Sequence, residues 1–396
     1  MKQLNWKNSI SRFLAAQTIS LFGSSIVQYA IVWYITLSTS SGKMLTISTL
    51  CGFLPQIVIS LFAGVWIDRY DRKKMIMLSD AVIAAATLVL AIIFIAGHKN
   101  IWLLFAVLVI RSAGTGIQTP AVNSVIPQIV PKEGLMRING INSTLASLMM
   151  FLSPAVSGVI LSVAPFETTL LIDCVTAVIG VGITSTIYIE PVQKKDIRIN
   201  SNIEEIRKGF LYLKENHYIK RLLSYQLIIL FLISPSAFLT PLMVNRTFGN
   251  EVWRLTASEM TYSLGMILGG ILIASWGGFQ KKMNTTLSAG AFYGILMIAL
   301  GSVPVFFLYL VCNALSGITS PCYNAPITVT IQERVPQEMH GRIFSFMQIA
   351  TSCALPLGMA VFGPLADVVR VQTLLTGGGI FVAVISLAAW KLHIFE

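Results

Sequence analysis

Several ionisable residues lie inside otherwise apolar segments, where a charge is costly and is usually functional. Arg111 stands ten residues into the segment that begins at Ile101, and Asp80, Asp173 and Glu259 lie in three other apolar segments. A carboxyl group in such surroundings can take up and release a proton. The sequence also allows a purely structural interpretation, in which the aspartates pair with a backbone group or a basic side chain. In that interpretation neighbouring carbonyls and glutamines such as Gln17 or Gln28 satisfy Arg111.

A second concentration of charge is the stretch GVWIDRYDRKK at residues 64–74, which carries six charged residues. A carboxylate at the end of a helix, as predicted for Asp68, can meet the positive end of another helix, while basic residues such as Arg72 and Lys73 face lipid headgroups. The alternative is a positively charged loop that only sets the orientation of the chain in the membrane. That alternative accounts for Arg69, Lys73 and Lys74 but does not explain Asp68.

The composition indicates lipid as the surrounding solvent. Of 396 residues, 55% are hydrophobic and 11% are charged, whereas soluble proteins carry about 25% charged residues. The net charge of +11 comes from short basic runs between apolar segments, which is a membrane pattern and argues against nucleic acid as a partner. We find no phosphate-binding loop and no metal-ligand spacing in the sequence, and therefore predict neither an enzyme nor a metal site. The five cysteines lie in apolar segments and are interpreted as buried thiols.

Twelve segments are long and apolar enough to span a membrane, which takes about 20 residues each. The first is interpreted as a retained helix rather than a signal peptide, because it continues without a cleavage site. The break between the ninth and tenth rests on a turn near Gly301 and Pro304. The predicted spans are 12–38, 43–66, 74–96, 101–122, 137–163, 166–189, 219–245, 253–275, 284–303, 304–327, 338–363 and 370–391.

The basic residues predict the orientation of these spans. Most of the 28 lysines and arginines fall in the segments that share a side with the N-terminus, so both termini are predicted to be cytoplasmic. The exceptions are Arg111 within a span and, on the outer side, Lys43, Lys99, Arg246, Arg254 and Arg370.

An internal repeat divides the chain into two halves. The stretch TPAVNSVIPQIVPKE at 119–133 resembles SPCYNAPITVTIQERVPQE at 320–338, and each is predicted to lie between the fourth and fifth spans of its half. We therefore predict six-helix bundles at 1–189 and 219–396, since parallel repeats of six helices are a transporter plan. Residues 190–218 form the linker, with an amphipathic helix that presents Ile203, Ile206, Phe210 and Leu213.

These features resemble the major facilitator superfamily. The loop after the second span is similar to the family's Gly-x-x-x-Asp-Arg…Arg-Lys signature, although Asp71 stands where the family has a second glycine. VLVIRSAGTG is similar to the Arg-x-x-x-Gly motif of the fourth helix, and LSPAVSG retains Pro154 and Gly158 of the exporters' fifth-helix motif. Within the superfamily, the chain most resembles the bacterial macrolide-efflux exporters along nearly its whole length. The matching loop positions are Gly64, Asp68, Arg69, Arg72 and Lys73.

The resemblance implies an all-α integral membrane fold of twelve helices in two pseudo-symmetric six-helix bundles. It implies that the matching loop positions, called here the latch residues, hold the cytoplasmic side shut while the transporter faces outward. It also places Arg111 in a site that couples transport to proton binding or to conformational change. The candidate titratable partners, taken from their positions in apolar segments of this sequence, are Asp173, Asp80 and Glu259. No cofactor is expected, and the proton gradient is the expected energy source.

In this fold the first, fourth, seventh and tenth spans line the cavity. An apolar, aromatic cavity with scattered amides suits a bulky amphiphilic substrate. The candidate lining residues are Gln17, Gln28, Tyr225, Gln226, Phe231, Phe238, Asn313 and Asn324.

The expected function is therefore export of hydrophobic drugs such as macrolides by alternating access and proton antiport, from the bacterial plasma membrane. The expected partners are a hydrophobic or amphiphilic small molecule and membrane lipid, without nucleic acid and with the chain as a monomer. Two alternatives remain open: an exporter or flippase of an endogenous lipid, siderophore or metabolite, and a membrane sensor that no longer transports.

Overall fold

The computed structural model describes residues 6–189, 216–392 and 394–395, and this part of the chain is helical without β-strands. The first six helices are α1 (Trp6–Thr39), α2 (Gly42–Arg69), α3 (Arg72–Ile95), α4 (Ile101–Ile129), α5 (Leu135–Val163) and α6 (Phe166–Ser185). Those that follow are α7 (His217–Phe238), α8 (Thr240–Phe248), α9 (Val252–Trp276), α10 (Lys282–Ser302), α11 (Phe306–Arg334), α12 (Gln337–Leu365) and α13 (Val371–Lys391).

Among the described residues, 12 helices are long and apolar enough to cross a membrane, which confirms the predicted number. The break between the ninth and tenth spans is confirmed as well, because α10 ends at Ser302 and α11 begins at Phe306. The seventh predicted span, however, is interrupted. Pro235 lies inside α7, which ends at Phe238, and Pro241 begins the short helix α8. Proline in the first turn of a helix is favourable because no helical partner exists there for its missing N–H.

The repeated sequences were predicted to lie between spans, but most of each is helical. Residues 119–129 form the last turns of α4 and 320–334 those of α11, and only the residues that follow lie beyond these helices. Each of these helices is 29 residues long and contains two prolines, Pro120 and Pro127 in α4 and Pro321 and Pro326 in α11. Membrane helices tolerate proline because neighbouring helices and hydroxyl side chains satisfy the freed backbone groups. A span length of about 20 residues therefore underestimates both helices at this end.

The described residues divide into two compact units, one containing 6–38 and 47–189 and the other 39–46, 216–392 and 394–395. In the first unit, α3 packs against both α4 and α6. In the second, α10 packs against α13 and α11, and α9 packs against α11. The predicted amphipathic helix of the linker, with Ile203, Ile206, Phe210 and Leu213, lies outside the described residues.

The burial pattern fits helices surrounded by lipid. Each unit has its own apolar core; that of the first includes Phe13, Ile76 and Val125, and that of the second includes Leu222, Ile327 and Ile343. Large apolar side chains also lie exposed on the outward faces, as Val178 and Phe307 do. Because lipid solvates apolar side chains as well as a protein interior does, exposure of this kind carries no penalty in a bilayer.

Close contact of α9 with α11 depends on glycine. A Cβ atom on Gly269 would collide with the backbone of Ile318, whereas one on Gly270 would meet nothing within 4 Å. Small residues at such a crossing let two backbones approach and pack closely. At its end, α9 stops at Gly277, which adopts the left-handed conformation that glycine reaches without steric cost.

Candidate functional site

Arg111 lies in the middle of a polar group inside the first unit, which we call the arginine layer: Ser24, Thr87, Arg111 and Asp173. The guanidinium forms a buried ion pair with the Asp173 carboxylate and donates a hydrogen bond of 2.6 Å to the Thr87 hydroxyl. Its other terminal nitrogen donates to the carbonyl of Ser24 at 2.8 Å. Thr87 in turn donates to Asp173 at 3.0 Å. One residue from each of α1, α3, α4 and α6 is thereby tied to the same charge pair.

These contacts show which groups bind Arg111, for which the sequence allowed either a carboxylate or carbonyls and glutamines. None of its hydrogen bonds in the described part of the chain goes to a glutamine. The acceptors are a carboxylate, two side-chain hydroxyls and a carbonyl. The side chains of Arg111 and Asp173 are only 5% and 2% exposed. A buried charge of this kind is stable only when paired and hydrogen-bonded. The structure thus brings together two of the predicted coupling residues.

Asp80 belongs to a second polar group, the Asp80 layer, which comprises Ser20, Asp80 and Gln118. Its Oδ1 atom accepts hydrogen bonds from the Ser20 hydroxyl at 2.6 Å and from the Gln118 amide at 2.7 Å. Its Oδ2 atom is buried and has no hydrogen-bond partner within the described residues. No cation compensates this carboxyl group among the described contacts, in contrast to Asp173.

Helical geometry positions the two layers. Asp80 and Thr87 are seven residues apart on α3, and Arg111 and Gln118 are seven apart on α4, so each pair shares one helix face. Seven residues correspond to two turns and about 10 Å along a helix. Ser20 and Ser24 are one turn apart on α1. The first unit therefore carries two buried carboxyl-containing layers about 10 Å apart, with the Asp80 layer nearer the end at which α3 begins.

Glu259, the remaining coupling candidate, is half-buried on α9 in the second unit. It does not belong to either layer. Its role stays a prediction from the sequence.

The latch residues are described only in part, since the burial of Gly64 and the side chains of Asp68 and Arg69 lie outside what the structure describes. Asp71 caps α3 by accepting from the amides of Lys73 and Lys74. Arg72 donates to the carbonyl of Ser124 at 2.9 Å, and Lys73 to those of Ser185 and Ile187 at 2.7 and 2.8 Å.

These contacts give Arg72 and Lys73 partners within the protein, and the expectation that they face lipid headgroups stays a prediction. Arg72 binds a backbone carbonyl in the last two turns of α4. Lys73 binds two carbonyls at the end of α6, where unpaired carbonyls and the helix dipole attract positive charge. The loop joins helix ends inside the first unit. Its role as a conformational latch remains a prediction.

The candidate cavity residues of the first unit are Gln17 and Gln28 on α1. Gln17 is buried, and its Nε2 atom has no hydrogen-bond partner within the described residues. Gln28 is half-buried, with its amide close to Gly52 of α2.

In the second unit, several candidates make contacts that stabilise the bundle itself. Tyr225 hydrogen-bonds to Ser386 at 2.9 Å, and Asn313 donates to the Ser258 carbonyl at 2.6 Å. Phe231 packs against Phe362 with ring centroids 5.4 Å apart.

Asn324 is exposed, and its amide donates to Ser320 of its own helix. Gln226 is buried with its Oε1 atom unpartnered in the described part of the chain, and Phe238 ends α7 half-buried.

An apolar groove of about 650 Å³ runs between α1 and α5 of the first unit. Ile10, Leu14, Ile138 and Leu145 contribute to its walls, with cationic side chains at Lys7 and Arg137. Its volume lies within the range of about 300–1,000 Å³ typical of small-molecule pockets.

On α5, farther along, Pro154 and Gly158 of the exporter motif are buried, and Ser157 donates to the carbonyl of Ile26. This motif therefore lies on the face of α5 that contacts α1.

A further charged cluster, not predicted from the sequence, surrounds Asp367 in the second unit. Asp367 lies between α12 and α13 and accepts from the amides of Gly42 and Lys43 at 2.6 and 2.9 Å. The Ser41 hydroxyl and the Arg246 guanidinium also donate to it. Partial burial opposes ionisation, but these hydrogen bonds outweigh it and hold the pKa of Asp367 below its ordinary value. The carboxylate thus caps the first turn of α2.

Sequence reasoning missed Ser20, Ser24, Thr87 and Gln118 because hydroxyl and amide side chains are common in membrane helices and carry no charge. The spacing of seven residues from Asp80 and Arg111 is the signal that singles out Thr87 and Gln118. Asp367 was missed because its partners at 41–43 are more than 300 residues away in the sequence. No local pattern reports such a contact.

Comparisons with known proteins agree with this architecture. The model of the Major Facilitator Superfamily matches residues 13–359. Macrolide efflux protein A of Streptococcus pyogenes is 33% identical over 377 residues, which are 94% of this chain and 92% of that protein. Multidrug efflux pump Tap of Mycolicibacterium fortuitum is 24% identical over 358 residues, or 87% of this chain and 86% of Tap.

Among solved structures, that of the nucleoside transporter NupG is similar, with a TM-score of 0.70 at 15% identity, covering 99% of this chain and 100% of that one. At this identity the likeness shows the fold. Together with the family match and the twelve spans, it identifies a multi-pass membrane protein that transports a small molecule. The chain belongs to the major facilitator superfamily of transporters.

Proposed function

We propose that this protein is a secondary active exporter of hydrophobic drugs of the macrolide kind, driven by proton antiport. The observation that carries the proposal is the 33% identity to macrolide efflux protein A over 94% of the chain. The alignment extends over nearly the full length. It therefore includes both predicted bundles and the spans predicted to line the cavity. The distribution of basic residues supports placement in the bacterial plasma membrane with both termini in the cytoplasm.

The contacts in the first unit support proton coupling. Loss of the Asp173 charge would leave Arg111 buried without its ion-pair partner, which is strongly unfavourable. Asp80 faces no such constraint, because no described cation depends on it and its Oδ2 atom is free to carry a proton. We therefore assign proton binding to Asp80. The arginine layer is assigned the role of a fixed charge that links α1, α3, α4 and α6.

The substrate class is supported by the apolar groove between α1 and α5. A bulky amphiphile can bury part of its apolar surface there, and burial contributes about 25 cal/mol per Å² of that surface. The proposal requires no cofactor, since the energy comes from the proton gradient.

Drug susceptibility in an efflux-deficient bacterium tests the proposal. The host expresses the wild type, Arg111→Ala, or Arg370→Ala as a matched control with an exposed arginine removed. Macrolides, tetracyclines, fluoroquinolones and cationic dyes are compared at equal expression. We expect resistance with the wild type and the control, and its loss with Arg111→Ala. A well-expressed wild type that confers no resistance would contradict drug export and favour an endogenous lipid, siderophore or metabolite.

A further inference from the structure

A cavity of about 500 Å³ opens at one end of the second unit, where α10 and α7 begin and α11 and α13 end. It is separate from both carboxyl-containing layers, which lie in the first unit. Its size is sufficient for a small ligand. Its lining combines charged, aromatic and apolar side chains.

Positive charge predominates in the lining. Lys281, Lys282 and Arg334 are cationic, and Glu333 is the one acid among the residues that line the cavity, where it forms an ion pair with Lys282. The Arg334 guanidinium stacks on the Tyr218 ring, 3.8 Å from its centroid. Stacking of this kind fixes the guanidinium while leaving its N–H donors available to a ligand.

The beginning of α10 adds to this field. The helix starts at Lys282, with Lys281 as its N-cap residue. The positive end of the helix dipole therefore points toward the same place as the two lysines. A helix end and three cations around a single cavity favour an anion with several oxygen acceptors, for which phosphate is the best match.

The inner wall is apolar. Met283, Leu287 and Ala389 are buried there, and Trp390 and Phe395 complete it. A free phosphate ion gains nothing from such a wall. A phospholipid presents its phosphate to the cations and its glycerol and first acyl carbons to the apolar side chains.

We propose that this cavity binds the phosphate group of an anionic phospholipid. The proposal does not depend on the transported substrate or on proton coupling. Basic pockets between membrane helices recognise such headgroups by the same combination of cations and apolar surface.

The test measures thermal unfolding of the full-length protein in detergent with added dihexanoyl-phosphatidylglycerol. Dihexanoyl-phosphatidylcholine and inorganic phosphate are the comparison ligands. The variant is Lys281→Ala combined with Arg334→Ala, and Arg370→Ala is the control for loss of an exposed cation elsewhere. Lys281→Gln alone serves as a second variant, because this side chain is exposed and its removal leaves the core intact.

We expect phosphatidylglycerol to raise the melting temperature of the wild type and of Arg370→Ala, with phosphatidylcholine and phosphate weaker. In the double variant the apparent affinity should fall about tenfold or more, since two charge-assisted contacts are lost, and Lys281→Gln should show a smaller fall. Equal stabilisation of the double variant and the control would overturn the site. Phosphate as effective as phosphatidylglycerol would overturn the lipid assignment and indicate a soluble anion.

Discussion

At the scale of single residues, Asp80 and Asp173 differ in what compensates their charge. Asp173 is held by Arg111 and Thr87, whereas Asp80 accepts only a hydroxyl and an amide hydrogen bond. The two carboxyl groups lie in layers about two helical turns apart and are thereby suited to different roles. Asp173 forms the buried ion pair with Arg111, and Asp80 is the group assigned to proton exchange.

Replacement of Asp173 by asparagine should destabilise the protein strongly. The change leaves the Arg111 charge buried and unpaired, which typically costs about 3–5 kcal/mol. Chemical unfolding in detergent measures the loss. The control is Glu167→Gln, which breaks the ion pair with Lys99 at the surface and should change stability little. If both variants unfold alike, the buried pair does not support the fold as described.

At the scale of elements, the charged loop between α2 and α3 joins the ends of other helices. Lys73→Ala removes two hydrogen bonds to the carbonyls at the end of α6, and we expect a local loss of about 1 kcal/mol. Hydrogen exchange should become faster at the last amides of α6. Lys74→Ala, which removes an exposed lysine beside it, should leave that exchange unchanged. Unaltered protection in Lys73→Ala would show that the lysine is only a topology signal.

The crossing of α9 and α11 supplies a second test at this scale. Gly269→Ala forces a Cβ atom into the backbone of Ile318, so the helices must separate. We expect a marked fall in the melting temperature and in the yield of folded protein. Gly270→Ala, one residue along in open space, should be neutral or slightly stabilising. Equal behaviour of the two variants would mean that the helices do not approach as closely as described.

Much of this element structure could be predicted from the sequence. Twelve spans follow from hydropathy, and the break before α11 follows from Gly301 and Pro304. The interruption after Phe238 and the helical state of 119–129 could not, because proline breaks or merely bends a helix according to what its neighbours can satisfy.

The candidate site was predictable to a smaller extent. Charge in an apolar segment identifies Arg111, Asp80 and Asp173 one by one. That Arg111 pairs with Asp173 and not with Asp80 depends on how α3, α4 and α6 pack, which no local pattern contains. The contacts of Lys73 with Ser185 and Ile187 depend on packing in the same way.

At the scale of the whole molecule, the Asp367 cluster holds residues 39–46 within the second unit. Because its pKa is lowered, the stabilisation by ionised Asp367 is complete above about pH 4, the ordinary value. It is lost as the pH falls through the lowered pKa. We therefore expect the protection of the Gly42 and Lys43 amides from hydrogen exchange to be constant, after correction for intrinsic rates, between about pH 5 and 8.

Asp367→Asn should remove this protection throughout that range, with Glu251→Gln as the control in another exposed ion pair of the second unit. The asparagine keeps the size of the side chain but loses the charge that favours the amides of α2. Protection that survives in Asp367→Asn, or that fades in the wild type between pH 8 and 5, would contradict the role given to the carboxylate.

The proposed export couples substrate movement to proton movement through Asp80. The most direct measurement uses everted membrane vesicles whose lumen is acidified by respiration and reported by a quenched pH-sensitive dye. We expect a macrolide to release protons and to restore fluorescence with the wild type. Asp80→Asn should abolish the response, and Lys74→Ala should preserve it. Macrolide accumulation without proton release, or an unchanged response in Asp80→Asn, would contradict coupling through Asp80.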